Sequence, residues 1–374
     1  MEGPRPPRPE ELDSLLELLC EVWGYFPETY SWEHLRRVIR QPLYRRDARV
    51  MVDGGRVVSN IQMYYHDLSL YGCRVKVASI GCVCTQAEYR RRGLAGAVLG
   101  RCLEDMTAAG ARLLLVSGDR SLYRRHHCVP AGEFRWSEVD LTSLGGAPSG
   151  LRVEQVGVEA WPTLAPLYDA ESLRFVRPLE FLSRSCFWWD CNQPMLWRVA
   201  VGDRTLGYVN IAQGVPETGA RRSPWVYEYA GSRAALVEAL GEIGERAGIE
   251  RLRFAFPAAD RELGYLLERA GVTLRPGRLP DHTVRVLDVP GLMRDLRPYV
   301  RARLPRAEAR RLSFGQVGEV CVIERGAERV ELSLSEAAAL MLGGDSRPEL
   351  PAGLAQVAEA LFPVPLPMIG LDYI

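Results

Sequence analysis

The segment richest in chemistry runs Val83-Cys84-Thr85-Gln86-Ala87-Glu88-Tyr89-Arg90-Arg91-Arg92-Gly93-Leu94-Ala95-Gly96. Arg91 and Arg92 concentrate positive charge, and the small residues Gly93, Ala95 and Gly96 let a ligand come close to the backbone. If Leu94 begins a helix, the free N–H groups of its first turn point outward at the positive end of the helix dipole, a receptor for pyrophosphate. The spacing is not Gly-x-Gly-x-x-Gly, and no Lys-Ser or Lys-Thr follows, so neither a dinucleotide fingerprint nor a Walker loop is present. A second candidate patch is Gly118-Asp119-Arg120-Ser121-Leu122-Tyr123, at the end of the next strand, where the Tyr123 phenol can donate a proton. On its own, a tyrosine at a helix start is more often a packing residue.

The remaining reactive side chains point elsewhere. Cys84 reads as a small buried hydrophobe rather than a nucleophile. Cys82 and Cys84 share one strand face without further ligands at zinc spacing, and His126-His127 adds too little, so no metal is expected. Cys186 and Cys191, around Phe187-Trp188-Trp189, read as packing residues, or that aromatic cluster lines a pocket.

Elements that position these residues follow from periodicity. Leu12, Leu15, Leu16, Leu19 and Cys20 have the spacing of an amphipathic helix over 11–23. Strands at 49–52 and 57–61 flank the turn Asp53-Gly54-Gly55 as a hairpin. A strand over 77–85, a helix through Leu94, Val98, Cys102 and Met106 that stops at Gly110, and a strand over 113–116 follow. The same order returns downstream: a hairpin 197–201/206–211, a strand 225–229, a helix 234–247 ended by Gly248, and a strand 252–256, which reads as two copies of one α/β unit. The junction falls in Gly145-Gly146-Ala147-Pro148-Ser149-Gly150. A small α+β third unit follows, with a helix over 292–303, a hairpin 320–323/330–334, and Ser335 as N-cap of a helix over 336–342. The tail 362–374 is apolar, proline-stiffened and nearly uncharged, so it is expected to dock rather than to move freely in solvent.

Composition excludes several classes. With 374 residues the chain is long enough for two or three domains, and 47 Lys plus Arg balance 47 Asp plus Glu, so no broad attraction to nucleic acid or anionic lipid is implied. Nine dispersed cysteines do not form a secreted disulfide framework. No signal peptide and no run of about 18 apolar residues is present. A soluble, cytoplasmic protein is expected.

Arg90-x-x-Gly93-x-Ala95 resembles the Arg/Gln-x-x-Gly-x-Gly/Ala signature of the GNAT superfamily of N-acetyltransferases. The resemblance implies that Arg91, Arg92, Gly93, Leu94, Ala95 and Gly96 hold the pyrophosphate of acetyl-CoA, and that Val83, Cys84 and Thr85 offer backbone groups to its pantetheine and acetyl carbonyl. Over essentially the whole chain the pattern is similar to the enhanced-intracellular-survival (Eis) acetyltransferases. That implies a catalytic GNAT domain at 1–146, a degenerate second GNAT-like domain at 147–284 and a sterol-carrier-protein-like domain at 285–374. The fold class is α/β (α+β), with two tandem mixed-sheet domains and a small α+β domain. It further implies that Tyr123 is the general acid, that Gly118 and Asp119 neighbour the cofactor, and that the α-carboxylate of Ile374 is the base. Relatives of this kind form homo-oligomers and acetylate amines, including aminoglycosides, so a small-molecule or peptide amine is the expected acceptor. The sequence departs from the family where Arg124-Arg125-His126-His127-Cys128 follows the tyrosine. Tyr227-Glu228-Tyr229-Ala230-Gly231-Ser232-Arg233 replaces the glycine loop in the second unit, where no CoA is expected. Two other readings remain, a non-catalytic acyl-CoA-binding sensor and a lipid carrier using the third unit.

Overall fold

The computed structural model describes residues 1–24, 35–37, 39–148, 150–177, 195–212, 223–345 and 347–372. The stretch 25–32, Cys186, Cys191 and Ile374 therefore lie outside the described residues.

The first unit opens with strand β1 (Glu2–Arg5) and helix α1 (Leu12–Trp23), whose apolar stripe is buried and which ends at Gly24 with φ 69°. After α2 (Pro42–Asp47) come β2 (Ala48–Asp53), β3 (Arg56–Leu70) and β4 (Cys73–Thr85). The β3–β4 hairpin is much longer than the spacing predicts. Its far end buries Leu68, Leu70, Cys73 and Val75 and turns through Tyr71-Gly72, both at positive φ. Next are α3 (Leu94–Ala108), β5 (Leu113–Ser117) and the single turn α4 (Ser121–Arg124). β4 and β5 are parallel, and α3 supplies the crossover that parallel pairing requires.

Beyond this point the chain visits both sheets. It forms β6 (Phe134–Asp140), β7 (Leu151–Val156), α5 (Trp161–Asp169), β8 (Leu173–Val176), β9 (Met195–Val201) and β10 (Arg204–Ala212). Then follow β11 (Trp225–Gly231), α6 (Arg233–Ala247), β12 (Arg251–Pro257), α7 (Arg261–Arg269), β13 (Arg275–Gly277) and β14 (His282–Val286). The first sheet is ordered β1-β2-β3-β4-β5-β14, with β8 added on the far part of β3; the second is β13-β6-β12-β11-β10-β9-β7. Position for position, β7-β9-β10-β11-β12-β6 repeats β1-β2-β3-β4-β5-β14, so the two sheets exchange their last strands. β6 leaves the first unit to pair with β12, and β14 returns to pair with β5 from Val284↔Leu115 outward.

The third unit comprises α8 (Val289–Asp295), α9 (Arg297–Arg303), α10 (Arg306–Arg311), the antiparallel strands β15 (Leu312–Val317), β16 (Val320–Arg325) and β17 (Glu328–Ser333), then α11 (Leu334–Leu342) and α12 (Ala352–Leu361). The one helix expected over 292–303 is two, broken at Leu296, with Pro298 accommodated in the first turn of α9 where its missing N–H costs nothing. The cap of α11 is Ser333, not Ser335. Ser333 Oγ accepts from Glu336 N–H at 3.2 Å, and the Glu336 carboxylate accepts from Ser333 N–H at 2.8 Å. Only Ser333 has an acid three residues on, the spacing a capping box needs. Ser335 Oγ instead meets His127 Nδ1 at 3.0 Å, stitching the third unit to the first.

One apolar core joins the far end of β3–β4, β5, β14 and the helices of the third unit, and it includes Phe362, Val364 and Leu366 of the tail. Met368 then touches the second unit's core, and Leu371 is buried with Trp161, Leu164, Tyr168 and Tyr208. The tail is therefore docked across the units, as its composition predicts. Between the third sheet and α12, Leu312, Phe314, Ile323, Leu354 and Phe362 line a gap of ≈ 10 Å³, room for about one water and far too little for an acyl chain. Among the described residues no helix is long and apolar enough to cross a membrane, and no three metal-ligating side chains gather.

Candidate active site

Pairing of β4 with β5 runs only from Val77↔Leu113 to Ile80↔Val116, while β4 continues to Thr85. The last five residues of β4, which include Val83, Cys84 and Thr85, thus have no β5 partner, while Gly81, Cys84 and Thr85 stay paired with β3. Cys82 sits at φ +51°, and the β3–β4 register shifts between Asn60 and Gln62, so a bulge lies within this stretch. Buried side chains on β3 hold it. Asn60 Nδ2 donates to Cys82 O at 2.9 Å, and Ser59 Oγ donates to Cys84 O at 3.1 Å and meets Thr85 Oγ1 at 2.8 Å. Sequence reasoning missed Ser59 and Asn60. The available signal was repetition, because Asn210-Ile211 repeats Asn60-Ile61 and marks the β10–β11 register shift in the second sheet.

The loop leaving β4 delivers a bare helix start. Arg90 Nε donates to Thr85 O at 3.1 Å, Arg91 adopts φ +61° and Gly93 adopts φ +79° as the residue before α3. Ala97 N–H makes the first helical bond, to Gly93 O at 3.0 Å, and among the described residues no side chain caps the N–H groups of Leu94, Ala95 and Gly96 ahead of it. A methyl placed on Gly93, Gly96 or Gly100 would meet nothing within 4 Å, so the space above the turn is open. The exposed guanidinium of Arg92 lies 4.8 Å from the Tyr89 ring centre, and Tyr89 Oη donates to Asp53 at 2.8 Å. Backbone donors and the positive end of the helix dipole therefore meet open space at the start of α3, with the exposed Arg91 and Arg92 next to it in the chain, a setting that favours an anion.

The same position in the second sheet is filled by the protein itself. Ser232 Oγ caps α6 by accepting from Ala235 N–H at 3.3 Å, and the Glu171 carboxylate accepts from Gly231 N–H at 3.0 Å. Arg233 grips both oxygens of Glu171 at 2.6 Å and Asp260 at 2.9 Å, and Asp260 in turn accepts from Tyr229 Oη at 2.8 Å. An internal carboxylate, Glu171, is thus held beside the start of α6.

After β5, Gly118 takes φ +92°, donates to Asp281 O at 2.7 Å and accepts from Thr283 Oγ1 at 3.1 Å, so returning strand β14 fixes this corner. Asp119 is bonded by Arg124 through Nε at 2.7 Å and Nη2 at 2.5 Å, and that ion pair holds its carboxyl below the usual range. Tyr123 is 4% exposed, in the core cluster formed by Leu94, Val98, Val116 and Cys128 under α3. Sheet and helix thus bring Tyr123 to the same end of the first sheet as the β4 edge and the loop. Burial pushes the Cys84 thiol far above its ordinary range, which removes the thiolate a covalent route needs. Cys102 and Cys128 are each pushed up to about 12 by the same cause.

Residues 4–128 match the acetyltransferase (GNAT) domain. The GNAT match spans β1 through α4, the segment that carries the last five residues of β4 and the bare helix start. No curated protein sequence matches the chain. Among solved structures, a GCN5-related N-acetyltransferase from Anabaena variabilis superposes with a TM-score of 0.68 at 15% identity, covering 96% of this chain and 97% of that one. Another from Kribbella flavida gives 0.66 at 17% identity over 99% of each chain. Eis1 from Mycobacterium abscessus gives 0.63 at 15% identity over 97% of each. At such identities the likeness is one of fold, and it extends over the whole chain rather than the first unit alone. A GNAT acetyltransferase domain supports acyl-CoA-dependent N-acetyl transfer as the general activity.

Proposed function

We propose that the chain is an acetyl-CoA-dependent N-acetyltransferase that moves an acetyl group to a primary amine by direct transfer, with aminoglycoside-like, polyamine-like or peptide amines as the acceptor class. The three-unit division at 1–146, 147–284 and 285–374, with β6 and β14 exchanged, belongs to this reading, as do an Eis-like arrangement, a homo-oligomer and a cytoplasmic location. The observation that carries it is the contrast between the two helix starts: α3 is bare and open, and α6 is capped by Ser232 and occupied by Glu171.

In this reading Arg91, Arg92 and the N–H groups of Leu94, Ala95 and Gly96 hold the pyrophosphate, with Gly93 giving close approach. The side of Val83–Thr85 that lacks a β5 partner binds the pantetheine as an added strand would and presents N–H donors to the thioester oxygen. Gly118 and Asp119 border the acyl end. The amine nitrogen bonds to the carbonyl carbon, the carbon–sulfur bond breaks, and Tyr123 protonates the sulfur as it leaves. The nitrogen's surplus proton passes to the α-carboxylate of Ile374, directly or through water. An ordinary α-carboxylate with a pKa of ~3.5 is a weak base, so most of the rate comes from positioning.

Calorimetric titration is expected to count one acetyl-CoA per chain. Two per chain would contradict the closed state of the second unit, and none would overturn the reading.

A further inference from the structure

The turn Arg124-Arg125-His126-His127-Cys128, which directly follows Tyr123, has no part in the transfer chemistry above. It winds back onto the tyrosine: Tyr123 O accepts from His126 N–H at 2.9 Å and from Cys128 N–H at 3.1 Å, and Arg124 O accepts from His127 N–H at 3.1 Å. Within it His127 takes φ +58°, a left-handed conformation that a histidine keeps only where its surroundings determine it. Those surroundings belong to the third unit. His127 Nδ1 meets Ser335 Oγ at 3.0 Å, and Nε2 meets Glu319 Oε2 at 3.1 Å. A carboxylate only accepts, so Nε2 carries a proton, and in the neutral ring Nδ1 accepts from the Ser335 hydroxyl. Glu319 lies in the turn between β15 and β16, and Ser335 lies in the first turn of α11. Leu334 N–H donates to Glu319 O at 3.1 Å, so the main chain holds the two partners together. Arg285 on β14 adds a second hold: Nη1 donates to His126 O at 2.6 Å, and Nη2 lies 3.7 Å from Glu319 Oε1.

Stability is a poor explanation for this arrangement. The Glu319 side chain is 60% exposed and that of His127 24%, so water screens their pairing, and a left-handed residue works against folding. What the two bonds supply is orientation. Helix α4 is a single turn of four residues, too short to hold its own geometry, and it depends on outside anchors. The core under α3 packs the Tyr123 ring together with Cys128 at the far end of the turn. His127 fixes the backbone between them, from which the phenol projects.

We propose that His127 is a positioning residue, through which Ser335 and Glu319 of the third unit hold the Tyr123 turn in the geometry that proton delivery requires. The inference rests on the reading of Tyr123 as general acid, and it gives the third unit a part in the transfer without any contact to substrate.

The test uses the full chain, with steady-state kinetics and hydrogen exchange over residues 123–128. His127→Gly removes both bonds while glycine adopts the positive φ freely, so the turn is relieved of strain. Its kcat is expected to fall about tenfold at unchanged KM for acetyl-CoA, because a misplaced reacting group costs rate. His127→Asn tolerates the left-handed region and keeps one polar arm, and is expected to recover part of that loss. The double variant Ser335→Ala, Glu319→Gln leaves the first unit's sequence untouched and adds no flexible glycine. It is expected to quicken exchange at His126–Cys128 about tenfold, to lower kcat as His127→Gly does, and to add nothing to His127→Gly when the three changes are combined. In a Tyr123→Phe background the same changes are expected to cost no further rate. Unchanged exchange in the double variant overturns the tether. Faster exchange with kcat unchanged, or a loss of kcat that persists in full without the phenol, overturns the positioning role. Full turnover by Tyr123→Phe alone overturns the acid reading and the positioning role with it, and the exchange data tell that failure apart from failure of the tether.

Discussion

Replacing Gly96 by aspartate is expected to leave the chain folded, to stabilise α3 slightly and to weaken acetyl-CoA binding by 100-fold or more. Gly96 lies in the first turn of α3, and a Cβ there meets nothing within 4 Å. The substitution removes a glycine from a helix and places a negative charge at its positive end, two effects that together favour the helix by roughly 0.5–1.5 kcal/mol. A diphosphate at this helix start would face that carboxylate at close range, where repulsion of like charges is on the order of 4 kcal/mol per pair near a protein surface. Opposite signs make the experiment decisive, because a variant that is more stable yet does not bind cannot be dismissed as misfolded. Calorimetry with acetyl-CoA alongside thermal melting reads both. Unaltered affinity in Gly96→Asp would mean that the pyrophosphate binds elsewhere.

The second large effect is expected at Tyr123→Phe: kcat should fall by roughly 10²–10⁴-fold, the range for loss of a positioned general acid. Affinity for acetyl-CoA should be retained. Phenylalanine fills the same volume, so the buried cluster with Leu94, Val98, Val116 and Cys128 is preserved and the stability cost is about 1 kcal/mol for a lost hydroxyl contact. A drop confined to kcat fits proton delivery to the departing sulfur. A rise in KM for acetyl-CoA at constant kcat would instead make Tyr123 a wall of the binding site.

How much of this was legible depends on how far apart the interacting residues lie. The loop from Arg90 to Gly96 was readable because strand, bare glycines and helix are consecutive, and the backbone geometry of a helix start follows from local sequence. Leu12–Trp23 and Arg233–Ala247 were readable for the same reason, each with an apolar stripe and a terminating glycine at positive φ. The exchange of β6 and β14 was not, since each strand pairs more than a hundred residues away along the chain and nothing in Phe134–Asp140 says which sheet edge it will meet. The bulge at Cys82 was hidden because a cysteine at positive φ leaves no mark in sequence; its holders Ser59 and Asn60 read only as polar residues in a strand. For the tail, composition told that it docks, yet its partners Arg177 and Glu228 sit far upstream and became neighbours only through the fold. Ser335 directly precedes Glu336 and so reads as the cap, whereas the deciding feature is that Glu336 stands three residues after Ser333.

The central claim is that the first unit transfers an acetyl group from acetyl-CoA to an amine. It is tested most directly by following free-thiol release from acetyl-CoA with a panel of aminoglycosides, polyamines and peptide amines, wild type against Tyr123→Phe. Release that requires both an amine and Tyr123 is the predicted result. Binding of acetyl-CoA with no release from any amine of the panel would contradict it and make the protein an acyl-CoA-binding sensor.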